Sequence, residues 1–271
     1  MTASSVGSLV PLRDEGDLTP LHCVHPVSGS PYCYSAMAHR LPAGRPVFGF
    51  EAPGFDGASE PAASIAELAE LHTASLLKSR PHGPYQLLGW SLGGVVAYEM
   101  ARLLVARGEE VPLLVIVDAA LPGTQAVLPD DQLARHFLYD FLGVTRERAP
   151  GIDKALAGIA PGAEPAEIFA AAEQHGAVPE EFDAEFLLER YALFRTGVLA
   201  LRRHRLDAVL PGSAILIKAE DSVDGLLDWE PYVERLTVHT APGDHHSVWQ
   251  GPGLDAIGTI VDRALREATP A

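Results

Sequence analysis

Six short apolar runs recur along the chain, and stretches with a helical pattern separate most of them. Most of the runs lack the alternation of polar and apolar residues that a half-exposed strand shows, so they indicate strands covered on both faces of a parallel sheet. The runs are LHCV (21–24), PVFGF (46–50), YQLL (85–88), LLVIV (113–117), AILI (214–217) and LTVH (236–239). Strand, helix and strand in succession predict right-handed crossovers and a doubly wound α/β sheet.

This alternation stops between about residues 123 and 208, where the sequence is helical without strands. The residues that share one face of its longest helical pattern are Leu187, Tyr191, Phe194, Val198 and Leu201. A helical block inserted between two strands of a parallel sheet emerges at a strand end, where ligands bind, so we expect a lid. A second small helical domain with no role at the site is the alternative.

The length of 271 residues fits one large α/β domain that carries an insertion. We expect residues 1–18 to form a tail or the remnant of a linker and residues 19–271 to form the domain. A formal net charge of −16 disfavours nucleic acid as a partner, because phosphates would be repelled. There is no apolar run as long as a membrane span and no secretion signal at the N-terminus, which predicts a soluble cytoplasmic protein without a membrane partner.

The two cysteines, Cys23 and Cys33, have no histidine or cysteine near them at zinc-ligand spacing. Two thiols in so long a chain do not form a disulfide framework, so we interpret both as small buried hydrophobic residues. No motif of the sequence implies a metal or a cofactor.

A serine at a bend gives the first chemical indication. Gly89-Trp90-Ser91-Leu92-Gly93 matches G-x-S-x-G, with an apolar run before it and a helical pattern directly after it. In this context the motif predicts a nucleophile elbow, a strained strand-to-helix turn that exposes the serine Oγ above the sheet. Glycines flank the serine because strand and helix approach too closely for a Cβ.

A serine hydroxyl needs a base within hydrogen-bond reach and a third group that orients the base. The best candidate for the base is His245, which follows the last predicted strand in the turn APGDHHSVWQGP. His246 is adjacent and would point elsewhere. A metal site made of His239, Asp244, His245 and His246 is a weaker interpretation, because neighbouring histidines on a turn rarely converge on one ion.

Two positions compete for the acid, which follows the serine and precedes the histidine in this type of fold. Asp118 ends the strand LLVIVD and would emerge at the same edge of the sheet as Ser91. Asp221 or Asp224, in KAEDSVDG, follows the next strand, which is the usual acid position in many α/β-hydrolases. Sequence geometry alone does not choose between these positions.

An oxyanion hole requires two backbone N–H groups, one of them from the residue after the nucleophile. Leu92 supplies that donor. The loop HPVSGS (25–30) follows the strand LHCV and offers Val27 as the second donor, since Pro26 has no N–H. His25, which lies before a proline at a strand end, is interpreted as a structural hydrogen-bonding residue.

The chain resembles the type I thioesterase domains that release finished chains from nonribosomal peptide synthetases, with polyketide synthase thioesterases next nearest. The resemblance covers about residues 9–265 and is weakest in the helical block. The stretches that carry it are LHCVHPVSGSPYCYSAMAHRL, RPHGPYQLLGWSLGGVVAYEMARLL, LLVIVDAALPG and LLDWEPYVERLTVHTAPGDHHSVW. GWSLGG and PHGPY are the segments most specific to the peptide-synthetase branch.

This resemblance implies an α/β-hydrolase fold with a mostly parallel central sheet, helices on both faces and a helical lid insertion. It implies a catalytic set of Ser91, Asp118 and His245, with oxyanion donors at Val27 and Leu92, and it thereby favours Asp118 over Asp221. The sequence departs from the family pattern at His246, which occupies the position of an aromatic residue, and at Val248-Trp249 after it. That departure concerns the shape of the pocket.

The function implied is release of a peptidyl or acyl chain from the phosphopantetheine thioester of a carrier protein, by hydrolysis or macrocyclisation. Phosphopantetheine would arrive with the carrier, so no cofactor of the chain itself is expected. The basic run Arg202, Arg203 and Arg205 could meet an acidic carrier, or it could be a solvated helix end. The alternative functions are a stand-alone editing thioesterase, a general carboxylesterase and a non-catalytic carrier-binding scaffold.

Overall fold

A computed structural model describes residues 9–124, 126–145, 149–222 and 225–268. Within these residues a seven-stranded sheet has the order β1-β3-β2-β4-β5-β6-β7. The strands are β1 (Leu9–Arg13), β2 (Leu21–Val24), β3 (Val47–Phe50), β4 (Gln86–Trp90), β5 (Leu113–Val117), β6 (Leu210–Ala219) and β7 (Val233–Ala241). All neighbouring pairs from β3 to β7 are parallel, and β1 runs antiparallel at the edge.

The expectation of a tail over residues 1–18 is wrong for β1. This strand pairs with β3, so that Leu9 lies opposite Phe50 and Val10 opposite Gly49. An edge strand needs only one partner and tolerates Pro11, which is why the pattern LVPLR did not read as a strand. The Arg13 guanidinium also donates to the carbonyl oxygens of residues 41, 42 and 45, which fixes the end of the strand.

Helices cover both faces of the sheet. The helices of the sheet domain are α1 (Ser35–Arg40), α2 (Ile65–Ser79), α3 (Leu92–Ala106) and α8 (Gly251–Glu267). Successive residues of a strand enter different cores: Leu114 and Ile116 pack with α2 and α3, whereas Val115 and Val117 pack with α1 and α8. Burial on both faces explains why the sequences of the fully buried strands β2, β4 and β5 lack polar alternation.

The helical block lies between β5 and β6. It contains α4 (Asp130–Phe141), α5 (Pro150–Ala155), α6 (Pro165–Gln174) and α7 (Ala184–Arg203). These helices have a core of their own, in which the Phe137 ring lies 5.5 Å from that of Phe169 and 5.3 Å from that of Phe194. The block also contacts the sheet domain, because Val27 packs against its core and Ala200 of α7 joins the core beneath α3.

The described residues contain no helix that is both long and apolar enough to cross a membrane. In the same residues no three His, Cys, Asp or Glu side chains are placed to hold a metal ion. Cys23 and Cys33 are free thiols, and burial raises the pKa of both.

Candidate active site

Ser91 occupies a single-residue corner between β4 and α3. Its backbone has φ 56° and ψ −127°, a region of backbone conformation that residues other than glycine seldom adopt. Hydrogen bonds hold the corner: the Ser91 amide donates to the Val117 carbonyl at 3.0 Å, and the Gly94 amide donates to the Ser91 carbonyl at 3.0 Å. The sequence motif therefore forms the strained strand-to-helix turn predicted for it.

The two glycines of the motif are needed because backbone segments meet at the corner. A Cβ on Gly89 would overlap the carbonyl group of Gly93, and a Cβ on Gly93 would lie 2.6 Å from the His25 carbonyl oxygen. Strand β4, helix α3 and the loop after β2 therefore approach one another closely at this corner. The corner that carries the serine therefore has room only for glycine at positions 89 and 93.

Asp118 follows the last residue of β5 and binds His245. His245 Nδ1 lies 2.7 Å from Asp118 Oδ2, and the carboxylate also accepts from the Ala219 amide at 2.9 Å and from the Ser222 hydroxyl. Burial by itself raises the pKa of Asp118, but the hydrogen bonds, that of His245 first, outweigh burial and hold the pKa below its ordinary value. Asp118 is therefore a buried carboxylate that stays charged.

Asp118 also adopts a positive φ, at 42°. Among the described residues other than glycine, only Ser91 shares that property. Strained backbone of this type persists where the surrounding structure holds it and clusters at functional sites. Two strained residues at the ends of neighbouring strands mark this edge of the sheet as the site.

The competing acid position does not reach the histidine. The Asp221 side chain is exposed, and its backbone N–H donates to the Gly243 carbonyl at 3.0 Å. Asp224, the other candidate of that loop, lies outside the described residues. In the structure the partner of His245 is thus the aspartate at the end of β5.

His245 and His246 differ in their surroundings. His245 is about a third exposed, and its ring lies 5.1 Å from the Trp90 ring. His246 stands edge-on to the same indole at 6.1 Å, and burial, with the neighbouring His245 charge, lowers its pKa to about 4. The Asp244 carboxylate orders this turn by accepting from the amides of His246 and Ser247.

An open cleft of about 370 Å³ brings Ser91 and His245 together. Its wall comes from the loop after β2, the corner, the end of α4 and the turn at 245–250. No hydrogen bond joins Ser91 to His245 within the described residues, although both line this cleft. The two side chains therefore face one cavity, with Asp118 behind the histidine.

The predicted oxyanion donors lie at this corner as well. Val27 lines the cleft beside Ser91, and Leu92 is the first residue of α3, where backbone N–H groups have no intrahelical acceptor. Gly197 of α7 packs on both residues from the other side: a Cβ there would lie 3.2 Å from Leu92 Cδ1 and 3.3 Å from Val27 Cγ2. His25 is buried with Nδ1 at 2.7 Å from the Pro26 carbonyl, which fits a structural role.

Comparison with known protein families matches residues 19–264 to the family model described as "Thioesterase domain". The chain belongs to this thioesterase family. Enterobactin synthase component F of Escherichia coli (strain K12) is 30% identical to the thioesterase domain over 263 residues, which are 95% of this chain and 18% of that protein. The domain therefore spans less than a fifth of that relative.

Two solved structures resemble the thioesterase domain. The four-domain nonribosomal peptide synthetase AB3403, described as bound to AMP and glycine, has a TM-score of 0.78 and 25% identity over 94% of this chain and 20% of that chain. The NocB thioesterase domain, described as a covalent complex with a fluorophosphonate nocardicin G analog, has a TM-score of 0.65 and 24% identity over 92% of this chain and 96% of that chain. The predicted α/β-hydrolase fold is confirmed.

Sequence reasoning missed a tyrosine that supports the corner of this thioesterase. The Tyr34 hydroxyl donates to the Val24 carbonyl at 2.6 Å and accepts from the Trp90 amide at 2.9 Å. Val24 ends β2 ahead of the loop that holds Val27, so one buried hydroxyl connects the donor loop to the corner. No local pattern around Tyr34 signals this contact, because Trp90 lies 56 residues away.

Two further polar residues of the site were not predicted. Ser222 binds both oxygens of Asp118, at 2.7 Å and 2.8 Å. Asp140, near the end of α4, lines the cleft together with Ser91 and His245. Neither the loop after β6 nor the end of α4 contains a sequence motif that marks these residues. Their roles arise because the fold brings those segments close to Asp118 and to the cleft at Ser91.

Proposed function

We propose that this thioesterase takes a peptidyl or acyl chain from the phosphopantetheine thioester of a carrier protein onto Ser91 and releases it by hydrolysis or macrocyclisation. The observation that carries the proposal is the hydrogen-bonded pair of Asp118 and His245, since His245 shares one cleft with the strained corner at Ser91. A buried carboxylate bound to an imidazole that shares a cleft with a serine hydroxyl is an arrangement suited to acyl transfer.

In the first half-reaction the Ser91 Oγ attacks the thioester carbonyl carbon. Because Nδ1 of His245 is bonded to Asp118, Nε2 is the nitrogen left to take the hydroxyl proton. The oxyanion accepts hydrogen bonds from the amides of Val27 and Leu92. Collapse breaks the C–S bond, His245 returns the proton to the departing thiol, and an ester on Ser91 remains.

In the second half-reaction His245 takes a proton from the incoming nucleophile. Attack by water breaks the ester and gives a free acid, whereas attack by an amine or hydroxyl of the same chain gives a ring. In both cases the Ser91 oxygen regains its proton from His245. The two outcomes differ in whether the cleft admits water or a second part of the substrate beside the acyl group. Helix α4 lines this cleft, and Gly197 of α7 packs behind Val27 and Leu92.

The carrier and the peptidyl chain are inferred from the relatives. Enterobactin synthase component F and AB3403 are synthetases that are much longer than their matched segments, so a domain of this type acts beside other domains in those proteins. We expect the carrier to deliver phosphopantetheine and this chain to need no cofactor of its own. In the basic run, Arg203 is exposed and available to a carrier, whereas Arg205 donates to the carbonyls of Arg202 and His204 at the end of α7.

The test uses a fluorophosphonate probe and intact-protein mass spectrometry. We expect the wild-type chain to gain one probe mass, Ser91→Ala to gain none, and the exposed-site control Ser79→Ala to match the wild type. Absence of labelling in the wild type, or equal labelling of Ser91→Ala, would favour a non-catalytic scaffold and overturn the proposal. Products of peptidyl and acetyl thioesters then separate a releasing enzyme from an editing one, since an editing thioesterase would favour short acyl groups.

A further inference from the structure

Asp140 brings a carboxylate into the cleft that the proposed reaction does not use. It lies on the last turn of α4 and shares the wall with Ser91, His245 and His246. No lysine or arginine is among the described residues that line this cleft. The carboxylate therefore faces a cavity whose other titratable neighbours are His245, His246 and the thiol of Cys33, whose pKa is raised by burial.

The other acidic residues of α4 have partners of their own. Asp130 accepts from Tyr191 and Arg195, and Asp131 accepts from the Gly162 amide at 3.0 Å. For Asp140, by contrast, no side-chain hydrogen bond or ion pair exists within the described residues. Its burial raises the pKa of the carboxyl to about 6, and the His245 charge opposes that rise. A partly desolvated carboxylate without a partner gains most from a cationic ligand group.

The part of the substrate that would carry such a group follows from chemistry. A phosphopantetheine arm offers amides, a hydroxyl and a phosphate, and the phosphate would be repelled by Asp140. The acyl chain is therefore the part that would supply a cation. Since Asp140 and His245 interact electrostatically across the cleft, the cation would sit near the reacting carbonyl.

We infer that Asp140 selects acyl chains that carry a protonated amine close to the thioester carbonyl. The inference rests on the proposed function and narrows its substrate class to basic peptidyl chains. The ammonium donates to the Asp140 carboxylate and holds the acyl group against the wall formed by α4. The amine has two possible sources, a basic side chain or the N-terminus of a short chain, and the test separates them.

The experiment compares N-acetylcysteamine thioesters in matched pairs. One pair carries lysine or norleucine at the residue next to the thioester, and the other has a free or an acetylated N-terminus. For the full chain we expect kcat/KM to favour the charged member of one pair by about tenfold or more, the size expected for a hydrogen bond between charged groups. The pair that shows the preference identifies the source of the amine.

The variant Asp140→Asn keeps the shape of the side chain and removes its charge. We expect the ratio of kcat/KM between the charged and the neutral member to fall about tenfold in this variant. Asp131→Asn, which removes the same charge from the same helix away from the cleft, is the control and should keep the wild-type ratio. A ratio that is unchanged in Asp140→Asn, or absent in the wild type, overturns the inference.

The wild-type chain offers a second test that needs no variant. Below about pH 6 Asp140 is protonated while lysine remains charged, so the ratio should fall as the pH is lowered through that value. Protonation of His245 stops the reaction of both substrates and cancels in the ratio, and His246, with a pKa of about 4, stays neutral there. A ratio independent of pH also overturns the inference. Fluorophosphonate labelling of Ser91 in the same samples reports separately on the proposed function.

Discussion

The Ser222 hydroxyl lies 2.7 Å from Oδ1 and 2.8 Å from Oδ2 of Asp118, although the two residues are 104 positions apart in the chain. This hydroxyl and the Ala219 amide hold the carboxylate in the orientation in which it meets His245. The loop after β6 thus supports the acid, although the acid itself comes from the end of β5.

Replacing Ser222 with alanine should weaken the proposed reaction without abolishing it. Loss of a hydrogen bond to a charged carboxylate is expected to lower kcat/KM about tenfold. That bond also holds the pKa of Asp118 down, so its loss should raise the pKa of Asp118 and the carboxylate should lose its charge at a higher pH than in the wild type. Ser213→Ala is the control for kcat/KM against pH, because among the described residues the Ser213 hydroxyl binds only the exposed Arg235.

The identity of the acid gives a second prediction. Asp118→Asn should lower kcat by a factor on the order of 10⁴, because the amide would favour the wrong tautomer of His245. Asp221→Asn removes an exposed charge that does not touch His245, so it should have little effect. Single-turnover kinetics with one peptidyl thioester measures both variants. A severe loss in Asp221→Asn with a mild loss in Asp118→Asn would contradict our assignment.

The corner gives a prediction for stability. Gly93→Ala places a Cβ against the carbonyl oxygens of Val24 and His25, and backbone atoms there cannot move aside easily. We expect a loss of about 3 kcal/mol or more in the free energy of unfolding, at or above the usual range for overpacking. Urea unfolding measures it, with Gly151→Ala as the control, since a Cβ at Gly151 would meet no atom within 4 Å.

Buried histidines beneath the loop after β2 predict acid sensitivity. Burial lowers the pKa of His22 and of His25 to about 4, and it lowers the pKa of His72 well below the ordinary value. The unfolded chain therefore binds more protons than the folded chain below about pH 6.5, and stability should fall as the pH is lowered towards 4. The slope should approach about 1.4 kcal/mol per pH unit for each histidine.

Urea unfolding at several pH values tests this acid sensitivity. Neither ring nitrogen of His72 has a hydrogen-bond partner in the described part of the chain, and the ring packs 4.8 Å from that of Phe50. His72→Phe should therefore make the loss of stability between pH 6.5 and 4 less steep, while His39→Gln at an exposed position should leave the slope unchanged. An equal slope in wild type and His72→Phe would show that the buried ring does not titrate on unfolding.

The sequence was informative where local pattern decides structure. Short apolar runs, most of them without polar alternation, located β2 to β7, and G-x-S-x-G between such a run and a helical pattern located the strained corner at Ser91. The pattern LVPLR did not indicate β1, because a proline inside a short run argues against a strand and only edge position permits it.

The remaining parts of the site depend on contacts between distant segments. Sequence geometry left the acid open between Asp118 and the Asp221 loop, since both follow strands that end at the same edge. The structure pairs Asp118 with His245, as the family resemblance implied. Tyr34, Ser222 and Asp140 could not be found in this way, because each gains its role from residues that are remote in the chain.

Because the helical block is inserted between β5 and β6, the residues proposed for the reaction and the residues that shape the cavity lie in different segments of the polypeptide. Ser91 and Asp118 precede the block and His245 follows it, so the groups that we propose for the reaction belong to segments that the block does not interrupt. Asp140 and Gly197, which shape the cavity or brace its wall, belong to the block itself. Exchange of one continuous stretch can therefore redirect such a protein to new chains during evolution, while the reaction is inherited unaltered.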